Sequence, residues 1–218
     1  YLTFHAYDPG YQVTFALMLT SAIITCALTT RLKDHAKMSA QAAFRTKVLF
    51  DTNQLLQRAK SEEEILSQTA SQLMKLLNRN LIVYPEQNGD LGSEQLFSVD
   101  GEVPCNIFSA PEERDAANWT FSNKKRSGAG TDSYPDAKGL YLALRTGGGV
   151  FGVIGIDLSE KPLDAFENSV LLSILGEGAL AIENRRNALE KEQAALQARN
   201  EELRANLLRT ISHDLRTP

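Results

Sequence analysis

A run of 20 residues without a charged side chain, residues 11–30, limits the fold of this chain more than any other feature. At about 1.5 Å of rise per residue, a helix of this length spans roughly 30 Å, the thickness of a bilayer's hydrocarbon core. The run contains several Thr and Ser residues, so a buried helix of a soluble protein is the alternative. We expect a transmembrane helix.

Basic residues stand on one side of that run only. Arg31, Lys33 and Lys37 follow it, whereas residues 1–10 contain neither Lys nor Arg. By the positive-inside rule the amino end lies outside the cell's inner (plasma) membrane and the bulk of the chain in the cytoplasm. A secretory signal would carry its basic residues before the apolar run. The formal net charge of -4 offers no general basic field, so no direct nucleic-acid binding is expected.

Residues 60–180 alternate between helical and strand patterns. Ser61 with Glu64 three positions later predicts a capping box and a helix that ends near Asn78. The other predicted elements are strands at 81–84 (ended by Pro85) and 96–99, a turn at 88–89, a helix at 111–125, strands at 140–145 and 150–158 around a turn at 147–149, and helix from 162 onward. This order predicts an α+β domain with an antiparallel sheet and flanking helices that stack together.

Candidate ligand sites are sparse in these residues. Trp119 is expected in the core, with a pocket wall as the alternative, and the polar loop 124–136 either covers a pocket or faces water. Residues 147–149 are three glycines without the lysine of a phosphate-binding P-loop. Cys26 and Cys105 match no metal-binding or disulfide spacing, and no metal site is expected.

A seven-residue repeat of apolar residues follows the predicted sheet. It consists of Leu175, Ile182, Leu189, Leu196 and Leu203. One such seam is what a coiled coil requires, but the companion positions include Arg185, Arg186 and Glu192. We expect a weakly paired dimer helix whose rotation or register shift passes a signal to the residues that follow it; a charged spacer helix is the alternative.

The chain closes on Ser-His-Asp-Leu-Arg-Thr-Pro, residues 212–218. A neutral imidazole such as that of His213 is a competent nucleophile toward a phosphate, and Asp214 beside it can accept a proton as general base. A His–Asp pair alone is usually a surface pair. The whole string, however, resembles the phosphoacceptor box of sensor histidine kinases.

That resemblance implies a two-component phosphorelay, in which rotation or register shift of the preceding helix sets kinase against phosphatase output. His213 would be the phosphoacceptor, Asp214 the general base, and Thr217 would orient water when the response regulator is dephosphorylated. It also implies a homodimer, a response regulator as partner, and ATP and Mg²⁺ bound by a domain that residues 1–218 do not include. With Tyr1 in place of Met and Pro218 inside the family's dimerisation helix, we expect a piece of a longer protein.

Two further stretches narrow the family. The order of helices and strands resembles GAF domains, and residues 128–144 (GAGTDSYPDAKGLYLAL) resemble a segment of the KdpD potassium and turgor sensor kinases, with Ala143 at a usual proline. The Asp-Pro-Gly-Tyr entry to the membrane helix, residues 8–11, resembles theirs too. This implies control of potassium uptake. The alternatives are a GAF-type small-ligand-binding module and a membrane-anchored dimerisation scaffold.

These patterns divide the chain into six predicted regions. They are an extracytoplasmic segment (1–10), a transmembrane helix (11–30), a juxtamembrane linker helix (31–59), a GAF-like sensor domain (60–180), a coiled-coil linker (181–206) and the start of the phosphoacceptor domain (207–218).

Overall fold

The structure is a computed structural model that describes residues 9–99 and 107–214, with side chains from residue 13 to residue 206 within those ranges. Two compact units are distinguished, Tyr1–Val48 and Leu49–Pro218. The described residues of the first unit all lie in helix α1, Pro9–Arg58, whose last ten residues belong to the second unit. The remaining elements belong to the second unit. They are α2 (Glu62–Leu77), β1 (Leu81–Gln87), β2 (Asp90–Leu91), β3 (Gln95–Phe97), α3 (Pro111–Asn123), β4 (Ser127–Gly128), β5 (Gly139–Arg145), β6 (Val150–Asp157) and α4 (Ala165–Asp214).

Helix α1 exposes its apolar side chains along the uncharged run, as Phe15, Met18 and Ile24 illustrate. Five hydroxyl groups of this run, those of Thr20, Ser21, Thr25, Thr29 and Thr30, donate to carbonyls of the same helix. Those of Thr25 and Thr29 donate to the carbonyls four residues earlier at 2.7 Å. A helix that keeps its polar groups bonded internally suits hydrocarbon, so the Thr and Ser residues do not argue against a membrane span.

Among the described residues, two helices are long and apolar enough to cross a membrane, Val13–Arg58 and Ala165–Asn206. The most apolar stretch of 18 residues is fully exposed in the first helix and partly buried in the second. The second of these, in α4, supplies core residues of its own unit, including Leu171, Ile174 and Ile182. The first is therefore the better candidate span.

An antiparallel sheet is the centre of the second unit. Its strand order is β2-β1-β6-β5-β4, with β3 also paired to β1. This confirms the predicted α+β class with an antiparallel sheet. Strands β2 and β4, two residues each, are additions that no sequence pattern predicted. Asn88 and Gly89, both at positive φ, form the predicted turn between β1 and β2.

One predicted strand end is wrong. Strand β1 continues through Pro85 to Gln87, and Pro85 lies opposite Gly152 of β6. The carbonyl of Pro85 accepts the Gly92 N–H at 2.8 Å, so the missing proline N–H points toward the short β2 side rather than toward β6. The ladder between β1 and β6 therefore lacks no hydrogen bond at Pro85.

Each face of the sheet is covered by helices. Helix α3 covers Ile82, Tyr84, Tyr141 and Val153. Because side chains alternate along a strand, Leu81, Val83 and Ile154 point to the opposite face, where α4 packs on β5 and β6 and against α2. The expected stacking of the two flanking helices is confirmed.

Helix α2 begins as predicted. Ser61 is its N-cap and accepts the Glu64 N–H at 3.1 Å. The Glu64 carboxylate accepts the N–H of Lys60 at 2.7 Å, one residue before the position that a standard capping box uses.

Candidate functional site

The predicted phosphoacceptor residues lie at the carboxyl end of α4. The backbone of His213 and Asp214 belongs to this helix, while their side chains lie outside the described residues. Thr217 lies outside them entirely. Their chemical roles therefore stay predictions from the sequence. What the structure does describe is the path along α4 that leads to them.

The seven-residue repeat on α4 changes its environment along the helix. Leu175 and Ile182 are buried, with Ile182 fully inaccessible, because they pack within the domain. Leu189, Leu196 and Leu203 are 39%, 57% and 54% exposed. The first two positions are therefore occupied by the domain's own core, and only the last three are available to a partner helix.

Arg186 joins α4 to the domain at the point where the helix leaves it. Its Nε lies 2.9 Å from Glu62 Oε1, and its Nη2 lies 2.8 Å from both Glu62 Oε2 and Glu86 Oε2. Its guanidinium also lies 5.0 Å from the centroid of the Phe151 ring. One side chain thus ties α4 to the first turn of α2 and to two strands of the sheet. We call these contacts the Arg186 clamp.

The charged groups of the Arg186 clamp stabilise one another's ionised forms. The hydrogen bond from Arg186 holds the pKa of the Glu86 carboxyl below its usual range, and the bond to Glu62 raises the pKa of Arg186. Arg185 adds a bond from its Nη2 to the carbonyl of Lys60 at 2.9 Å. From the sequence, these two arginines are only polar positions that weaken a coiled coil. The acidic run at the start of α2, which includes Glu62, is the sequence signal for a partner of Arg186.

A buried carboxylate fixes α3 to β5. Glu113 is 2% exposed and accepts the N–H of Lys138 at 2.7 Å, the N–H of Gly139 at 3.2 Å and the hydroxyl of Tyr141 at 2.7 Å. Burial, together with the bond to Glu113, raises the pKa of Tyr141. Three donors stabilise a carboxylate that would otherwise be costly to bury. Nothing in the sequence marks this first-turn acid as internal.

Tyr84 contrasts with Tyr141 on the same face of the sheet. Its ring is fully buried, and its hydroxyl has no hydrogen-bond partner among the described residues. Burial raises the pKa of this hydroxyl to about 12. Arg114 lies 6.0 Å from the ring centroid.

An open cleft of about 950 Å³ lies beside β5, between the segment from Trp119 to Ser133 and the part of α4 from Asn168 to Gly176. Four cations, Lys124, Lys125, Arg126 and Arg145, and one acid, Asp132, line it. We call it the basic cleft. Trp119 is part of its wall, so the indole is a pocket residue rather than the core aromatic that we expected; its ring meets Tyr134 edge to face at 6.5 Å. Loop 124–136 supplies one side of this cleft.

Among the residues whose side chains are described, no group of three or more His, Cys, Asp or Glu residues is placed to hold a metal ion. Cys26 is an exposed free thiol on α1, and Cys105 lies outside the described residues.

Comparison with known proteins gives two curated relatives that match nearly the whole chain. The Sensor protein KdpD of Clostridium acetobutylicum is 34% identical over 217 residues, which is 99% of this chain and 24% of that protein. The Sensor protein KdpD of Escherichia coli is 28% identical over 97% of this chain and 23% of its own length. The chain therefore spans about a quarter of the length of these relatives. No family model matches it.

Solved structures similar to this chain include two GAF domains. The native GAF domain of the potassium sensor histidine kinase KdpD from Escherichia coli covers 69% of this chain and 99% of that chain, with a TM-score of 0.49 and 22% identity. The GAF domain of a sensor histidine kinase from Pseudomonas syringae pv. tomato covers 73% and 97%, with a TM-score of 0.46 and 17% identity.

Proposed function

We propose that this chain, which matches KdpD sensor proteins over nearly its whole length, carries a signal to the phosphoacceptor His213 of a sensor histidine kinase. One observation carries the proposal. Helix α4 runs without a break from Ala165, inside the GAF-like domain, to Asp214. From the Arg186 clamp to His213 the helix is about 40 Å long at about 1.5 Å per residue, so a rotation at the domain reaches the histidine through a single rigid element.

The proposed reaction forms a phosphorus–nitrogen bond on His213. One imidazole nitrogen attacks the γ-phosphorus of ATP as the bond to the β-phosphate oxygen breaks and ADP leaves. Asp214 accepts the proton of the other nitrogen, which keeps the attacking nitrogen nucleophilic. ATP and Mg²⁺ are supplied by a domain outside residues 1–218. His213 then passes the phosphoryl group to an aspartate of a response regulator that controls potassium uptake. In the separate phosphatase reaction, Thr217 orients the water that hydrolyses this aspartyl phosphate and releases inorganic phosphate.

We further propose a homodimer in the inner membrane, with the second unit in the cytoplasm. The leucines exposed on α4 beyond the clamp, Leu189, Leu196 and Leu203, supply one apolar seam for pairing. Exposed Arg31, Lys33 and Lys37, directly after the apolar window of α1, support the cytoplasmic side.

Phosphotransfer in the intact, full-length protein tests this function. We expect His213→Gln to abolish acid-labile labelling by radiolabelled ATP, and Asp214→Asn to slow it while the chain remains folded. His35→Gln, a change of the same kind on exposed α1, is the matched control and should label normally. Labelling retained by the His213 variant would refute the assignment.

A small-ligand-binding module is the second candidate function, and the basic cleft favours it. A cleft of this volume lined by cations is suited to a ligand and is not required by the fold. The two functions are compatible if the ligand is the signal.

A further inference from the structure

We propose that the basic cleft binds a phosphorylated small molecule that carries a flat or apolar group. Lys124, Lys125, Arg126 and Arg145 converge on it, against the single acid Asp132. None of these four cations forms an ion pair with a described residue. Elsewhere in the unit, Arg186 is paired with two carboxylates. Unpaired cations around a concave surface attract a multiply charged anion, and phosphate matches guanidinium and ammonium donors.

The opposite wall of the cleft is apolar. Leu142 and Leu175 are buried beneath it, Leu172 is 52% exposed, and the indole of Trp119 stands at its side. An inorganic anion would leave this wall in water. A ligand with a flat ring or an apolar body covers it and stacks on the indole while its phosphates meet the cations.

Backbone groups of β5 complete the site. The carbonyl of Gly139 accepts the Ala129 N–H at 2.9 Å, so Gly139 directs its backbone groups toward β4. Strand groups alternate in direction, so Ala143 faces the same side as Gly139. Strand β4 pairs only with Leu140 and Tyr141, and Ala143 lines the cleft beyond it. Its N–H and C=O are therefore a donor and an acceptor offered to a ligand at the sheet edge.

The basic cleft is separate from the interior beneath α3, where Glu113 is satisfied by three donors of the chain itself. One of its walls is α4, from Asn168 to Gly176. A bound molecule would touch both loop 124–136 and the helix that leads to His213. That regulatory meaning rests on the proposed function, whereas binding itself does not.

The test uses Trp119, the sole tryptophan of the chain, as a reporter within the site. The whole chain, in detergent micelles, is titrated with ADP and in parallel with pyrophosphate, and the indole fluorescence is followed. We expect a saturable change with ADP and weaker binding of pyrophosphate, which lacks a ring. Lys125→Glu and Arg145→Glu should each weaken ADP binding about tenfold, the effect of losing one charge-assisted contact. Lys75→Glu, the same charge reversal on exposed α2 outside the cleft, should bind ADP as the unchanged chain does.

Three results would overturn the proposal. The absence of any saturable change with ADP rules out this ligand class. If Lys125→Glu and Arg145→Glu bind ADP as tightly as the unchanged chain, and circular dichroism shows all three folded, then ADP does not bind in the basic cleft. If pyrophosphate binds as tightly as ADP, the apolar wall does not contribute to affinity, and the proposed flat or apolar group of the ligand is refuted. No phosphotransfer enters the measurement, so its failure leaves the proposed phosphoacceptor role of His213 standing, and failure of phosphotransfer leaves the binding result standing.

Discussion

The two halves of α4 share one seven-residue repeat and use it differently. In the half within the domain, Leu175 and Ile182 are buried against the sheet and α2, and the half ends at the Arg186 clamp. In the half beyond the clamp, Leu189, Leu196 and Leu203 remain exposed. A regular repeat therefore does not identify its partner: the same spacing supplies a domain core first and an exposed apolar seam afterwards.

The difference gives each half its own role. The first half is held by close packing, which resists small displacements. The second half has one exposed apolar seam with polar companions, which in the proposed dimer would allow more than one arrangement at little cost. Under the proposed function, a signal that rotates the first half would be read out by the second.

The largest expected effect on the free energy of unfolding comes from truncating a side chain of the repeat in the buried half of α4 and comparing it with one in the exposed half. Ile182→Ala should lower the free energy of unfolding of the second unit by about 2–5 kcal/mol, because the isoleucine is fully buried. Leu196→Ala, the matched change in the exposed half, should lower it by about 0.5 kcal/mol or less. Chemical denaturation followed by Trp119 fluorescence measures both. Equal losses would contradict the division of α4.

A pair of glycines on α4 tests how closely the first half packs. A Cβ at Gly178 would lie 2.7 Å from Thr69 Oγ1 of α2, whereas a Cβ at Gly176 would meet nothing within 4 Å. Gly178→Ala should destabilise the second unit by about 1–3 kcal/mol through overpacking. Gly176→Ala should stabilise it by about 0.5–1 kcal/mol, because alanine is the better helix former. Thermal unfolding compares them, and the same sign for both would disprove the close approach of α2 and α4.

The Arg186 clamp should make a smaller contribution. Arg186→Gln removes a partly exposed ion pair, and we expect a loss of about 1 kcal/mol. Arg199→Gln, on the exposed half, should have no measurable effect on unfolding. If both variants unfold like the unchanged chain, the clamp does not hold the helix.

The smallest effect concerns pH. The pKa of Glu86 is lowered in the folded chain by its bond to Arg186, so its stabilisation is complete above the unfolded value of about 4.3 and is lost as the pH falls through the lower folded value. The free energy of unfolding, measured as the pH falls through this range, should decrease less steeply in Arg186→Gln than in the unchanged chain. An unchanged slope in that variant would mean that Arg186 does not set the ionisation of Glu86.

Most of the fold could be predicted from local signals. Capping at Ser61, the turn at Asn88 and Gly89 and the apolar strands β5 and β6 each follow from short-range chemistry. The continuation of β1 through Pro85 could not, because it depends on which side of the strand the missing N–H faces. Strands β2 and β4 are two residues long and carry no periodic pattern.

The candidate sites were predicted less evenly. His213 is found by its motif, whatever the fold. Glu113 and Arg186 act through partners 25 and more residues away in sequence, so their roles become visible only when α3 meets β5 and α4 meets α2. The basic cleft likewise joins loop 124–136 to α4, and no local pattern in Trp119 distinguishes a cleft wall from a core.

Cysteine crosslinking along α4 tests the central claim most directly. In the intact protein with Cys26 and Cys105 replaced, single cysteines are placed at Leu175, Ile182, Leu189, Leu196 and Leu203, and disulfide dimers are measured in the membrane. The account predicts dimers from Leu189→Cys, Leu196→Cys and Leu203→Cys and none from Leu175→Cys or Ile182→Cys. Equal crosslinking at all five positions would mean that the repeat is a single dimer seam and would contradict the division of α4.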